Sequence, residues 1–509
     1  MKMKRMKRIG ILLLIICLLC ACSGEISEES SMALTEESVE KTDPDNIFRI
    51  YIFGQRTKTE LPPKIPAADS YSVTGPAYVI GEHIGSDYHI YSKALEEFEQ
   101  ESDYTIEITY MTTPSALYSL NGDNSMPDVI IGSYTEENDS SLYTMLNEIY
   151  LYDMNEFFVE DDIYDSGEYI ETILEAGKVN GRQFVFPLTF TMNMLCTSEQ
   201  SLERHDLKIT DQSTFEDIVF EFMRLWDNTS GATDEVLVLP LAGGLVPKIW
   251  PFSFFHAASG QMFSPPGLRQ VTIGEDYFNS LFDICMSYKQ TESGPLELIT
   301  NAMRENCIEE GDGFTAIQEN VGCFAVGGIW SDYYQPLAAQ AAYYEWQYNQ
   351  LGEDFLCIGV PRYHDSTTYE AIITNFGVIP QASRHPEEAY RFIKMLADVE
   401  LQPYNDLSVN RKRCEESIDK LTFEEIVLKE GYSVEAMSKN TADHLKNMIE
   451  HIGGATLPNA GLNSDINFGF LTLWDGTADD ALKKARGLVE VSLAGSGYPK
   501  SFDEESDVK

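Results

Sequence analysis

The stretch YSKALEEFEQESDYTIEITYM, residues 91–111, carries the pattern that decides the fold class. Its first half places apolar residues at helical spacing, and its second half alternates apolar and polar residues as a strand does. AYVIGEHI at 77–84 has the pattern of a strand before this helix, and SMPDVIIGSY at 125–134 holds a buried strand after it. Strands and helices in this order predict an α/β fold in which parallel strands are joined by crossovers.

Two polar loops follow the strands predicted at 77–84 and 125–134. In open parallel sheets, ligands bind beyond the carboxyl ends of the strands. The first loop supplies Glu82, His83 and Ser86, and the second supplies Ser133 and Tyr134. Each of these residues is either a polar ligand contact or an ordinary loop residue.

The N-terminus has the pattern of an export signal. Five Lys and Arg side chains precede the apolar run ILLLIICLLCAC at 11–22. A membrane-spanning helix needs about 20 apolar residues, so this run of 12 suits the apolar core of a secretory signal instead. Leu19 to Cys22 resembles a bacterial lipobox, which implies cleavage after Ala21 and a lipid thioether on Cys22. Residues 1–21 are then a lipoprotein signal peptide, and the alternative is an ordinary signal that leaves Cys22 unmodified.

Two segments separate this signal from the region of alternating strands and helices. Residues 22–46 are rich in Ser and Glu and have no apolar periodicity, so we expect a disordered acidic tether. Residues 47–75 begin with the strand-like FRIYIF and continue with a loop-like sequence. We expect them to form an N-terminal extension packed on the core.

The charge of the chain restricts its partners. The formal net charge is −46, and it becomes more negative once the five cations of the signal are removed. Nucleic-acid binding needs a basic footprint, so the charge argues against it. A strongly acidic surface keeps an exported protein dispersed, but it does not identify a ligand.

Six cysteines lie beyond residue 190, and none is close to another in sequence. Their spacing does not match a zinc finger, and their number is far below that of a disulfide scaffold. Most are expected to be small buried apolar residues. One or two disulfides are compatible with the sequence, which does not reveal their pairing.

Catalytic signatures do not appear in the sequence. There is no H-E-x-x-H, G-x-S-x-G or P-loop motif, and the 8 histidines are scattered. Carboxylate pairs of a glycosidase have no sequence spacing that would reveal them among 82 acidic residues, which we interpret as solvated surface. The sequence therefore predicts neither an enzyme nor a bound cofactor or metal.

Several segments, taken in order, resemble bacterial extracellular solute-binding proteins of the sugar type, family 1, which serve ABC importers. The segments are PDVIIGSY at 127–134, LYDMNEFF at 151–158, GKVNGRQFVFPLTFTMNMLCTSEQSLERHDL at 177–207, FTAIQENVGCFAVGGIWSDYY at 314–334, DFLCIGVPRYHDSTTYEAIITNFGVIPQASRHPEEAYRFIKMLADVELQ at 354–402, LPNAGLNSDINF at 457–468 and WDGTADDALKKARGLVEVSL at 474–493. The resemblance covers roughly 76–493, without 414–447.

This resemblance implies a two-lobed periplasmic-binding-protein fold of type II, with the ligand cleft between the lobes. Lobe one is expected at 76–188 and 373–402. Lobe two is expected at 189–372 and 403–509, so the chain is expected to cross between the lobes near 188, 372 and 402.

The resemblance also implies ligand contacts, because sugars offer apolar faces to aromatic rings and hydroxyls to polar groups. Trp330 follows the turn Gly327-Gly328, where the family places an aromatic contact. Asn193 lies on the first crossing strand, where it faces either the cleft or the core. Trp250 and Phe468 are further candidates, and for both the alternative is a place in the core.

The function implied by these observations is a lipid-anchored receptor on the extracytoplasmic face of the cell membrane. It would capture a small solute, which we expect to be a carbohydrate, and deliver it as a monomer to the permease of an ABC importer. Two alternatives stay open: a lipid-tethered glycoside hydrolase, and a binding module used for sensing or adhesion.

Overall fold

The computed structural model describes the chain in segments, and its helices and strands are numbered here in chain order. The described residues are 46–53, 56–57, 70–74, 79–80, 93–111, 126–133, 150–229, 239–242, 279, 282, 322–327, 337–362, 367–399, 406–423, 426–427, 433–457 and 476–495. The contacts between residues group Asp45–Lys509 into one compact unit.

The described strands have two to ten residues, and those of four or more residues all belong to the two larger sheets. They are β1 (Ile47–Phe53), β2 (Arg56–Thr57), β3 (Ser70–Thr74), β4 (Val79–Ile80), β5 (Thr105–Met111), β6 (Val129–Ser133), β7 (Lys178–Val179), β8 (Arg182–Gln183), β9 (Phe186–Met192), β10 (Met194–Ser198), β11 (Leu239–Ala242), β12 (Gly322–Gly327), β13 (Phe355–Gly359), β14 (Tyr369–Val378), β15 (Leu407–Ser408), β16 (Ile426–Val427), β17 (Ser433–Val434) and β18 (Ile452–Thr456).

The helices range from a single turn to five turns. They are α1 (93–101), α2 (Asn155–Glu160), α3 (Glu171–Glu175), α4 (Glu199–Arg204), α5 (Phe215–Thr229), α6 (Leu337–Leu351), α7 (Pro386–Asp398), α8 (Arg411–Lys420), α9 (Lys439–Glu450) and α10 (Ala478–Gly495). Among the described residues, no helix is long and apolar enough to span a membrane.

The main sheet has eight strands in the order β15-β9-β14-β6-β1-β5-β3, and β18 also pairs with β14. Strands β3, β5, β1 and β6 are parallel, whereas β14 runs antiparallel to both β6 and β9. A second sheet of four strands has the order β11-β12-β10-β13. Mixed sheets of this kind, with helices between strands, confirm the predicted α/β fold.

Two helices cover the centre of the main sheet. Phe48 of β1 is fully buried, and its ring centroid lies 4.8 Å from that of Phe98 in α1 and 6.1 Å from that of Phe392 in α7. Phe98 and Phe392 also make an edge contact at 5.4 Å. Buried aromatic side chains of this size contribute most of the apolar area of a core, so α1 and α7 fix this layer on β1.

The expected role of residues 47–75 as an N-terminal extension is wrong for β1 and β3, two of the three strands that the structure describes there. β1 pairs in parallel with β5 on one side and with β6 on the other, so it is an inner strand of the main sheet. β3, at Ser70–Thr74, continues that sheet beyond β5. The strand predicted at 77–84 is reduced to β4, which pairs antiparallel with β2 in a separate ribbon.

The expected limits of the lobes also need correction at the C-terminal part. Residues 403–509 were assigned to lobe two, but β15 pairs with β9 and β18 pairs with β14, both within the main sheet. The main sheet also includes β9 up to Met192 and β14 from Tyr369 onward. The strands of the main sheet therefore move the crossings expected near 188 and 372 by a few residues.

Candidate functional site

Two chain segments cross side by side from the main sheet to the second sheet. The first runs from β9 through Asn193 into β10, and the second runs from β13 through Val360 into β14. β9 pairs with β14 in the main sheet, and β10 pairs with β13 in the second sheet. The amide of Val360 donates to the carbonyl of Asn193 at 3.0 Å, which ties the segments together between the sheets. The chain therefore passes between the two sheets along two segments that are hydrogen-bonded to each other.

The crossing begins at the carboxyl edge of the parallel strands. The register nearly aligns the ends of three of them, because Met111 at the end of β5 lies opposite Phe53 at the end of β1, and Phe53 lies opposite Gly132, the residue before the end of β6. One step further along β6, Ser133 lies opposite Asn375 of β14, and Asn375 lies opposite Thr189 of β9. Carboxyl edges of parallel strands are the usual place for ligands in open α/β sheets.

A cluster of buried polar side chains occupies this edge. Asn375 donates from Nδ2 to Oγ1 of Thr189 at 2.8 Å, and the hydroxyls of Thr189 and Thr374 are hydrogen-bonded at 2.8 Å. Thr191 and Asn193 continue the series along the first crossing segment and are also buried. Five polar side chains on otherwise apolar strands are costly unless their groups find partners.

Two acceptor oxygens of the cluster lack such partners. Oδ1 of Asn193 and Oδ1 of Asn375 are buried, and no described residue donates a hydrogen bond to either of them. An unpaired buried polar group costs about 1–3 kcal/mol of stability. The arrangement can accept hydrogen bonds from hydroxyl or amine groups that enter the crossing.

A partly buried ion pair joins Arg362, which follows β13, to Glu370 in β14. Nε of Arg362 lies 2.6 Å from Oε2 of Glu370, in an orientation that makes an ion pair without a well-directed hydrogen bond. Nη1 of Arg362 also donates to the carbonyl of Gly453 in β18 at 2.8 Å. A Cβ on Gly454 would approach the guanidinium carbon to 2.6 Å, so Arg362 needs a glycine there to lie across β18. Burial raises the pKa of Glu370 to about 7, although Arg362 opposes the shift.

The ring of Tyr369, the first residue of β14, packs against the end of β13. Its atoms Cδ1 and Cε1 lie 2.6 Å from the place where a Cβ on Gly359 would be, so the ring rests on the backbone at the end of β13. Burial raises the pKa of Tyr369 to about 12. The tyrosine and the ion pair together hold the end of β13 against the beginning of β14.

The structure brings two of the predicted contacts to this edge. Ser133 lies in backbone register with Asn375, and Asn193 lies buried at the first crossing. The other predicted residues lie outside the described residues and stay predictions: Glu82, His83, Ser86, Tyr134, Trp250, Trp330, Phe468 and the lipidation site Cys22. Glu82, His83 and Ser86 follow β4 in the sequence, and β4 pairs with β2 in the separate ribbon and not with a described strand of the main sheet.

Sequence reasoning missed Thr189, Thr374 and Asn375. The available signal was a polar side chain inside an apolar strand, as in AIITNFGV around Thr374 and Asn375. That signal is weak, because loops more often supply ligand contacts and a polar residue inside an apolar strand can equally belong to the core.

The comparisons with known proteins agree with this architecture. No protein-family model matches the chain, and no curated protein sequence does so. Among solved structures, a periplasmic-binding protein from Synechococcus sp. MITs9220, proposed to bind an oligosaccharide, is similar at a TM-score of 0.51 and 14% identity. The match covers 89% of this chain and 100% of that chain.

Two further structures are similar at lower scores. An ABC substrate-binding protein from Listeria monocytogenes, in complex with cycloalternan, gives a TM-score of 0.41 at 12% identity over 89% of this chain and 100% of that chain. A sugar transporter from Rhizobium etli, in an open conformation, gives 0.49 at 11% identity over 83% and 99%. The chain has the two-lobed α/β fold of periplasmic-binding proteins.

Proposed function

We propose that this chain is an extracytoplasmic solute receptor that binds a carbohydrate at the crossing between its two sheets. The observation that carries the proposal is the pair of unpartnered buried acceptors, Oδ1 of Asn193 and Oδ1 of Asn375. A sugar hydroxyl is a donor that fits such an acceptor, and it offsets the cost of burying the amide oxygen. The Synechococcus protein with the same fold, proposed to bind an oligosaccharide, supports the same ligand class.

The crossing also gives the receptor a mechanism. A ligand bonded to Asn193 contacts the segment on which the two α/β units are connected, so its binding favours one relative orientation of the units. Domain closure around a hinge is a common response of two-lobed binding proteins to their ligands. The protein itself performs no chemistry in this proposal.

Isothermal titration calorimetry with mono- and oligosaccharides tests the site. We expect Asn193→Ala and Asn375→Ala each to weaken the binding of the sugar by about tenfold to a hundredfold, because each removes a buried hydrogen bond to the ligand. Asn440→Ala, on the exposed side of α9, is the matched control and keeps the affinity of the wild type. Equal affinity in all four proteins would contradict the site.

Delivery to a permease and anchoring at Cys22 complete the proposal. The lipobox-like Leu19–Cys22 and the acidic 22–46 segment support a receptor tethered to the membrane by acyl chains. In a bacterial host, metabolic labelling with a palmitate analogue should mark the wild type and leave Cys22→Ala unlabelled. A wild-type protein that is cleaved near Ala21, released and unlabelled would instead indicate an ordinary secretory signal.

Genetic context tests the import role apart from the binding role. Deletion of neighbouring permease genes should abolish uptake of the bound sugar while the purified receptor retains its affinity. A bound sugar whose uptake does not depend on any permease would contradict delivery and favour sensing. Turnover of the sugar by the purified chain would contradict the receptor and favour a hydrolase.

A further inference from the structure

The two cysteines Cys196 and Cys357 lie directly opposite each other across the second sheet. Cys196 is in β10 and Cys357 is in β13, and the antiparallel register pairs them without a shift along the whole ladder. Both residues are buried and both thiols are free. They are 161 residues apart in sequence, so their meeting is a property of the fold that the sequence does not show.

The hydrogen-bond pattern defines which kind of pair they form. The amide of Val360 donates to the carbonyl of Asn193, and the amide of Glu199 donates to the carbonyl of Asp354. These two hydrogen-bonded pairs each lie three positions from the cysteine pair, on opposite sides of it. Because the two kinds of pair alternate along an antiparallel ladder, Cys196 and Cys357 form a non-hydrogen-bonded pair.

The backbone carbonyls of the two cysteines agree with this assignment. The hydroxyl of Tyr348 donates to the carbonyl of Cys196 at 3.2 Å, and Nε2 of His444 lies 2.7 Å from the carbonyl of Cys357. Each carbonyl thus has a partner other than the opposite cysteine, as expected for a non-hydrogen-bonded pair. The Cα atoms of a non-hydrogen-bonded pair are about 4.5 Å apart, with the side chains close together. This distance lies within the range of roughly 4.4–6.8 Å that a disulfide spans.

We propose that Cys196 and Cys357 form a cross-strand disulfide in the exported protein. Each thiol loses its proton and the pair gives up two electrons as the sulfur–sulfur bond forms. The acceptor is the disulfide of an extracytoplasmic thiol–disulfide oxidoreductase, which is reduced to two thiols. The export of the chain belongs to the function proposed above, and the disulfide goes beyond that function.

The position of this bond gives it a structural role. It joins the two segments within the second sheet. Cys196 lies three residues after Asn193, and Cys357 lies three residues before Val360. Crossing segments that are covalently joined at this point keep a common register while the two units move. A crosslink that closes so long a loop also restricts the unfolded chain strongly.

The burial of the two thiols predicts when the bond forms. Burial raises the pKa of the Cys196 thiol, with the neighbouring Cys357 as a smaller cause. Since the thiolate is the reactive form, the folded reduced protein should oxidise slowly and the folded oxidised protein should resist reductants. The disulfide therefore forms during folding.

Peptide mapping tests the connection. The full chain is exported by a bacterial host, unfolded with iodoacetamide in the absence of reductant, digested and analysed by mass spectrometry. We expect one linked peptide pair that contains Cys196 and Cys357, whereas Cys414 in α8 is alkylated. Alkylation of both Cys196 and Cys357, or a link from either to another cysteine, would overturn the proposal.

Refolding gives a second readout that is independent of export. Reduced, unfolded chain is refolded either in a glutathione redox buffer, where oxidised glutathione accepts the electrons, or in excess dithiothreitol. We expect the oxidised protein to melt several degrees higher than the reduced protein. This difference should vanish in Cys196→Ala and in Cys357→Ala and persist in Cys414→Ala, which also replaces a buried cysteine. Equal melting of the two wild-type preparations would contradict the disulfide, and a ligand that still binds would leave the receptor function standing.

Discussion

At the scale of single residues, Glu370 predicts a pH dependence of stability. Burial raises its pKa from 4.5 to about 7 in the folded protein, against the opposing effect of Arg362. The folded state then holds the proton more tightly than the unfolded state does. The contribution of Glu370 to the free energy of unfolding is therefore present below pH 4.5, and it is lost as the pH rises through about 7.

Glu370→Gln removes this titration. We expect the free energy of unfolding of the variant, relative to the wild type, to rise by about 2–4 kcal/mol between about pH 4 and about pH 8. Urea denaturation of both proteins at the two pH values measures the difference, and contributions from other carboxylates cancel. The exposed Glu435→Gln on the approach to α9 is the matched control for the loss of a charge. A difference for Glu370→Gln that does not change with pH would contradict the buried carboxylate.

Single residues also show what the sequence could reveal about the site. The sequence makes Asn193 a candidate, because alternation along an apolar strand directs its side chain either into the cleft or into the core. Its actual state, buried with an unpartnered oxygen, depends on Val360 and the neighbouring segment, which are remote in sequence. Asn375 comes into register with Ser133 and Thr189 only when β14 pairs with β6 and with β9.

At the scale of elements, the packing of α7 on β14 depends on a glycine. A Cβ on Gly377 would lie 2.7 Å from Cγ1 and 2.9 Å from Cγ2 of Ile393, which is fully buried. We expect Gly377→Ala to lower the free energy of unfolding by about 1–3 kcal/mol, because the added methyl group overpacks this contact. Chemical denaturation of the purified variant measures the effect.

A matched glycine in α10 separates overpacking from backbone effects. A Cβ on Gly487 would meet nothing within 4 Å among the described residues. Gly487→Ala should raise the free energy of unfolding by about 0.5–1 kcal/mol, because alanine favours a helix interior over glycine. Opposite signs for the two substitutions are the expected result, and stabilisation by Gly377→Ala would contradict the packing described for α7.

The elements show where pattern reasoning succeeds and where it fails. α1, β5 and β6 were predicted from periodicity, and the structure confirms them because their apolar positions are buried against the layers that periodicity implies. β1 was predicted as a strand but placed outside the core, since FRIYIF is followed by a long loop-like sequence. Only its pairing with β5 and β6 identifies β1 as an inner strand. The paired residues are at least 58 positions apart in sequence, so the local pattern does not reveal the pairing.

At the scale of the whole molecule, the crossing segments predict a ligand-dependent change of shape. If a sugar bonded to Asn193 favours a closed arrangement of the two units, small-angle X-ray scattering should show a smaller radius of gyration with the ligand than without it. Asn193→Ala at the same sugar concentration should keep the radius of the free protein. An unchanged radius in the saturated wild type would argue against closure and leave binding untouched.

The most direct test of the carbohydrate-receptor function is a thermal-shift screen of the mature chain against monosaccharides, oligosaccharides, amino acids and peptides. A ligand that binds only the folded state raises the melting temperature by mass action. We expect a saturable rise with one class of carbohydrate, and the loss of that rise in Asn193→Ala and Asn375→Ala but not in Asn440→Ala. A rise with peptides or amino acids and none with any carbohydrate would contradict the carbohydrate receptor.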